Sequence, residues 1–183
     1  MRLILTRHAI TEENAAKILL GQLPGTLSPE GILQAKQKRL QIDAMPLDMA
    51  YSSDLRRCLD TAEILVGHRG IVIHKDPRLR EINFGTFQGK PHDSIRGDYL
   101  SDLSKSFPRG ESNNQMIKRL IDCINDIYAK HAEDTVLIVS HSGPISVLLA
   151  STDRLTFRKA INMQIGFDEL IIREINSKLD YPT

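Results

Sequence analysis

Long apolar runs are missing from this sequence. No stretch of its 183 residues approaches the roughly 20 consecutive apolar positions that a membrane-spanning helix needs. The first residues do not read as a secretory leader: only Leu3 to Leu5 form an apolar run, and Glu12 and Glu13 soon follow. A charge of one sign is missing as well. With 24 basic and 23 acidic side chains the net charge is +1, which argues against nucleic acid and against a polybasic membrane anchor as partners. A few arginines gathered in a cleft would vanish in that total. Cysteine is scarce, and Cys58 and Cys123 have neither metal-ligand nor redox-motif spacing. They are read as packed free thiols of a reducing compartment, so the expected location is cytoplasmic. Internal repeats and low-complexity tracts are absent. So are a Gly-x-x-x-x-Gly-Lys loop, a Gly-x-Gly-x-x-Gly turn and a carboxylate cluster suited to magnesium. These absences count against a nucleotide fold and a metal-dependent phosphatase, and neither a metal nor a cofactor is expected.

What is present has an ordinary composition, 41% hydrophobic and 26% charged, at a length that fits one domain over residues 1–183. Short apolar segments at 3–6, 49–52, 71–74 and 136–140 show little alternation, which predicts strands of a sheet covered on both faces. The first is read as the central strand. Ser28-Pro29-Glu30 predicts a helix start, and Ser53-Asp54 predicts another helix that Gly67 stops. Over residues 112–131, Ile117, Leu120, Ile121, Ile124, Ile127 and Tyr128 make one apolar stripe. Gly143-Pro144 opens a last helix, and alternation over 169–175 suggests an edge strand that permits a homodimer. Alternating strands and helices predict a three-layer α/β/α sandwich with a mostly parallel sheet. Residues 85–110, rich in Gly, Pro, Ser, Asp and Lys, are too long for an ordinary connection and read as a functional loop or short insertion.

In open α/β sheets, ligands bind at the carboxyl ends of the strands. Arg7 and His8 follow the first predicted strand. Ser53, Asp54, Arg56 and Arg57 follow the second, and His141 with Ser142-Gly143 follows the fourth. Two histidines and an arginine pair thus converge on one sheet edge. Guanidinium forks suit phosphate oxygens, and a helix N-terminus after His141 adds backbone N–H donors. Without a metal motif, a side chain has to supply the nucleophile, and histidine can attack phosphorus. Nearby arginines would help keep such a histidine neutral. Glu81, in "LREINFG", is the best candidate for the acid that protonates the leaving oxygen. Its bland alternative is an ion pair with Arg78 or Arg80.

The segments "TRHAITEEN", "GQLPGTLSPEGILQA", "YSSDLRRCLDTAEIL", "LREINFGTFQG", "PRGES" and "VSHSGPI" resemble, in order and at compatible spacings, the motifs of the histidine phosphatase superfamily, the phosphoglycerate-mutase-like fold. The resemblance implies that His8 becomes phosphohistidine, that Arg7, Arg57 and His141 hold the phosphoryl oxygens, and that Glu81 donates the proton. It places Asn14, Gly21, Gln22, Glu111 and Ser142 near substrate or phosphate, Arg56 on the helix surface, and the short insertion at 85–110 over the active site. For Glu111 the bland reading is a helix-start carboxylate favoured by the helix dipole. Ala9 and Ser142 replace family glycines and Gly25 stands where proline is frequent; the extra methyl at Ala9 is expected to narrow the turn after His8. His92 is the remaining histidine placed to meet substrate. The short 81–111 segment and short tail resemble the small phosphatase branch, with α-ribazole-phosphatase-like members closest in layout. A small phosphorylated metabolite is the expected partner. Phosphoglycerate mutase is the first alternative, then a phosphohistidine phosphatase or a non-catalytic domain that binds a phosphorylated ligand or protein partner.

Overall fold

Parallel strands cannot be joined by tight turns, so each short apolar strand here has to be followed by a crossover, and helices supply it. The computed structural model describes residues 1–95, 99, 102–163 and 165–182. Its sheet contains β1 (Arg2–Arg7), β2 (Met49–Ser52), β3 (Ile73–Lys75), β4 (Thr135–Ser140) and β5 (Ile171–Glu174), in the order β3-β2-β4-β1-β5. The first four are mutually parallel and β5 runs antiparallel to β1 along one edge.

The central strand is β4, not β1. All six of its residues are buried, and it pairs with β1 on one side and β2 on the other. β1 has the short edge strand β5 as its outer neighbour. The third strand is also shifted from 71–74 to Ile73–Lys75, because pairing with β2 begins at Ile73 and leaves Val72 66% exposed.

Alternate residues of the same strands feed two cores. Leu3, Leu5, Val136 and Ile138 pack with Leu120 and Ile124 of α4 (Asn113–Lys130) and Leu148 of α5 (Ser142–Thr152). Ile4, Leu137 and Val139 pack with Ile42 of α2 (Pro29–Asp43) and Ala62 and Leu65 of α3 (Arg56–Val66). This is the three-layer sandwich, and it explains why the strands carry apolar residues at successive positions. Cys58 and Cys123 are buried and free, one in each core.

The helix starts follow local chemistry where side chains are not claimed elsewhere. Ser28 caps α2 by accepting from the Gly31 N–H at 3.0 Å, and Ser112 and Gln115 form a capping box on α4. The predicted start at Ser53-Asp54 is wrong by two residues. Those side chains are drawn into tertiary contacts, Ser53 with His141 and Asp54 with Arg80, so α3 begins at Arg56 with no side-chain cap. α3 does end at Val66 with Gly67 as its C-cap; a 3₁₀ turn over Gly67–Arg69 follows, and Gly70 takes the positive φ of 68°. Two short helices escaped the sequence reading: α1 (Glu12–Ala15) and α6 (Phe157–Ile161). Within the 85–110 segment, residues 96–98, 100 and 101 lie outside those described. The rest forms two 3₁₀ turns and an aromatic cluster in which Phe84 and Tyr99 flank Phe107 with ring centroids at 5.0 and 4.5 Å. No helix among the described residues is long and apolar enough to cross a membrane.

Candidate active site

β1 and β4 end in register, Arg7 beside Ser140, and the His8 N–H donates to the Ser140 carbonyl at 2.9 Å. The two chains therefore leave the sheet together, and the His8 and His141 rings lie 5.2 Å apart at 61°. At this end of the sheet is a cavity of about 930 Å³ lined by Arg7, His8, Arg57 and Glu81 together with a largely apolar wall.

Each histidine shows its tautomer by what it touches. His8 Nδ1 lies 2.8 Å from the Ala9 carbonyl, which can only accept, so Nδ1 carries the proton and Nε2 keeps its lone pair. His141 has the opposite arrangement. Arg57 Nη2 donates to its Nδ1 at 3.1 Å, and its Nε2–H faces Ser53 Oγ at 2.9 Å. Burial first, then Arg57, holds both rings well below the ordinary imidazole value of 6.5; Arg7 adds to the effect at His8. Cys58 Sγ lies 3.4 Å from His141 Nε2, but burial pushes its thiol up to about 12, which makes it inert.

Arg57 is 1% exposed, and its Nη2 and Nη1 donate to the carbonyls of Gly21 at 2.7 Å and Leu23 at 2.8 Å. Arg56, one residue earlier, is exposed and pairs with Asp60, which resolves the choice between them in favour of Arg57 as the cavity residue. Arg7 donates to the Ile165 carbonyl at 3.1 Å, and its guanidinium carbon sits 3.7 Å over the Phe167 ring. Arg7 Nε and Arg57 Nε are buried without an acceptor among the described residues, a deficit of the kind that oxyanion oxygens fill. Glu81 is not paired with either neighbouring arginine, since Arg78 binds Asp76 and Asp126 and Arg80 binds Asp54. Its carboxyl instead accepts from the Ile82 N–H at 3.0 Å and from Gly143 N–H, on the first turn of α5, at 3.4 Å.

Of the other residues singled out in the sequence, Asn14, Gly21, Ser142 and His92 line the cavity. Gln22, Glu111 and His141 do not. His141 is fully buried and reaches the site through Arg57 and His8. Glu111 pairs with Arg119 at 2.6 Å and accepts from the Asn83 N–H at 2.8 Å, while Gln22 donates to the Glu81 carbonyl at 3.0 Å. Both brace the segment that carries Glu81. Arg119 completes that brace by donating to the carbonyls of Arg78 and Arg80 at 2.7 Å each. Sequence reading missed Arg119, which stands among ordinary polar positions of α4, and it missed Phe167, which lies outside every recognised segment. At Ala9, where the family has glycine, the chain accommodates a side chain. The Ala9 backbone has no positive φ, and its methyl packs beside Leu27 and Ala35. Among the described residues, no group of three or more His, Cys, Asp or Glu is placed to hold a metal ion.

Residues 3–178 match the family model described as histidine phosphatase superfamily, branch 1. A Hydrogenobacter thermophilus protein with the provisional name phosphoserine phosphatase 2 is 32% identical, over 98% of this chain and 94% of its own length. The adenosylcobalamin/alpha-ribazole phosphatase of Salmonella typhimurium is 31% identical over 82% of this chain and 78% of its own. Among solved structures, YhfR of Bacillus stearothermophilus superposes with a TM-score of 0.88 at 29% identity, covering 98% of this chain and 94% of that one. A mycobacterial glucosyl-3-phosphoglycerate phosphatase in complex with VO3 gives 0.80 at 27%, covering 96% and 98%.

Proposed function

Because this chain belongs to branch 1 of the histidine phosphatase superfamily, we propose that it hydrolyses a small phosphomonoester through a phosphohistidine on His8, without a metal ion. The observation that carries this reading is the state of His8: a neutral ring whose Nδ1 proton is spent on the Ala9 carbonyl, flanked by two arginines. Arg7, Arg57 and the first N–H groups of α5 draw the phosphoryl oxygens and neutralise their charge. His8 Nε2 then attacks phosphorus as the bond to the ester oxygen breaks, and Glu81 gives that oxygen its proton. In the second half, the Glu81 carboxylate takes a proton from water as the water oxygen attacks phosphorus. The phosphorus–nitrogen bond breaks, and inorganic phosphate leaves. His141 serves this cycle as the positioning residue of Arg57.

The organic half of the ester lies against Leu19, Leu20, Phe84, Phe107 and Met116, and the described lining has no lysine or arginine besides Arg7 and Arg57. That favours esters with an apolar group over carboxylates such as 3-phosphoglycerate and phosphoserine, and hydrolysis over mutase chemistry. The test is hydrolysis of p-nitrophenyl phosphate and 1-naphthyl phosphate in the presence of a chelator. Both should be cleaved and blocked by vanadate, and His8→Ala should lose about 10³-fold or more in kcat. Wild-type turnover in His8→Ala sinks the mechanism. Mutase flux on 3-phosphoglycerate above its hydrolysis replaces this reading with the mutase. Phosphoserine and α-ribazole 5′-phosphate complete the panel and discriminate between the activities named for the relatives.

A further inference from the structure

α2 buries a lysine that the chemistry above does not use. Lys38 is 2% exposed, and its Nζ has three acceptors around it: Thr6 Oγ1 at 2.8 Å, the Phe167 carbonyl at 2.5 Å and, more weakly, the Arg7 carbonyl at 3.4 Å. Thr6 Oγ1 in turn donates to the Glu169 carbonyl at 3.0 Å. The ammonium and the Thr6 hydroxyl thus tie the segment 165–169 to the end of β1 at two points, the Phe167 and Glu169 carbonyls. That segment is the one that fixes Arg7, through the Ile165 carbonyl on Nη1 and the Phe167 ring under the guanidinium; Phe167 also meets His8 edge-on at 5.8 Å. Removing an ammonium from water is costly unless it is well partnered, so a lysine at this point performs a task that an apolar residue would not.

We propose that Lys38 is the positioning residue of the phosphate site: by clamping Phe167 onto the end of β1, it sets the pose in which the Arg7 guanidinium meets the phosphoryl group. The assignment rests on the phosphate reading of the cavity. Lys38 touches no reacting atom, so its loss acts on binding of the oxyanion more than on the bond-breaking step. A pH dependence follows from its surroundings. Burial lowers the Lys38 ammonium to about 8, with Arg7 on β1 pushing the same way and Asp168 and Glu169 on the clamped segment opposing. Above that value Nζ loses its charge and one of its donors, and the clamp loosens.

Tungstate, a phosphate-like dianion at neutral and alkaline pH, tests this by calorimetric titration of the full chain. Lys38→Met should weaken tungstate binding about tenfold at pH 7 and raise KM similarly, with kcat within about threefold. The wild-type affinity should fall toward the Lys38→Met value between pH 7 and 9.5, while the variant stays flat over that range. A purely structural role would lower the melting temperature without this pH dependence or this split between KM and kcat. Equal affinities of wild type and a folded Lys38→Met overturn the assignment, and so does a wild-type affinity that is flat with pH. The pH series needs no variant, so it decides the matter even if Lys38→Met fails to fold. Failure of the wild-type chain to bind tungstate at pH 7 overturns the phosphate reading itself, which separates the two failures.

Discussion

Glu81 owes its place to a residue with no side chain. A Cβ built on Gly143 would stand 2.5 Å from Glu81 Oε1, far inside contact distance, so glycine at this point is what lets the carboxyl come up to the first turn of α5. Gly143→Ala should therefore displace the acid while leaving His8, Arg7 and Arg57 in place. The expected result is a loss of about tenfold or more in kcat on alkyl phosphates, whose leaving oxygen needs a proton, and a much smaller loss on p-nitrophenyl phosphate. Parallel kinetics on the two ester classes check it, with Glu81→Gln showing the same ranking; equal losses on both would remove Glu81 as the acid. The motif "VSHSGPI" made a glycine visible in the sequence. That its partner is Glu81, 62 positions away along the chain, is a property of packing alone.

Among the elements, α2 shows most clearly where pattern reading stops. Its start was legible, because Ser28 and Pro29 act within one turn. Its inward face was not. Leu33 and Leu40 are 58% and 66% exposed, while Gly31, Ala35, Lys38 and Ile42 are buried. The reason is close approach: a methyl on Gly31 would lie 2.1 Å from the Ile10 carbonyl oxygen, which is backbone and cannot swing aside. Small residues are needed at Gly31 and Ala35, which press on the loop after His8, while Leu33 and Leu40 are left outside. Gly31→Ala should cost about 2 kcal/mol or more in urea unfolding, whereas Ser28→Ala, which loses only the cap, should cost about 1 kcal/mol. A Gly31→Ala protein as stable as wild type would remove the close-approach argument. The apolar stripe of α4 raised no such conflict: Ile117, Leu120, Ile121, Ile124 and Ile127 are buried as their spacing predicts, and Tyr128 is half-buried against the same core.

For the whole molecule, the site sets a stability that depends on pH. His8 and His141 are held well below 6.5 in the folded chain, with burial the larger cause and Arg57 the next. The unfolded chain takes up protons on these rings as pH drops through about 6.5, and the folded chain does not. Unfolding is then favoured as the pH falls, and the stability that neutral rings contribute is fully present above about 6.5. The melting temperature should fall between pH 7.5 and 5, and His8→Asn should show a shallower fall because one of the two groups is gone. An equal slope in the variant would show that His8 titrates alike in both states. A saturating oxyanion should raise the melting temperature, since it binds only where the arginines are assembled.

The sandwich and the strands at 3–6, 49–52 and 136–140 were legible in the sequence because they rest on local periodicity, and six motifs in order resembled the family to which the chain belongs. The sequence also pointed to Arg7, His8, Arg57 and Glu81, which the fold brings to one cavity. Packing of the remote chain was needed to make β4 rather than β1 central, to draw Ser53 to His141 and Asp54 to Arg80 instead of leaving them to cap a helix, and to set His141, Gln22 and Glu111 behind the wall of the cavity. It alone joined Lys38 to Phe167 across 129 positions of chain. The physical reason is common to all of these. Helix starts and strand runs are settled by neighbours within a few residues, while the choice of partner for a buried polar group depends on what the remote chain leaves unpaired beside it.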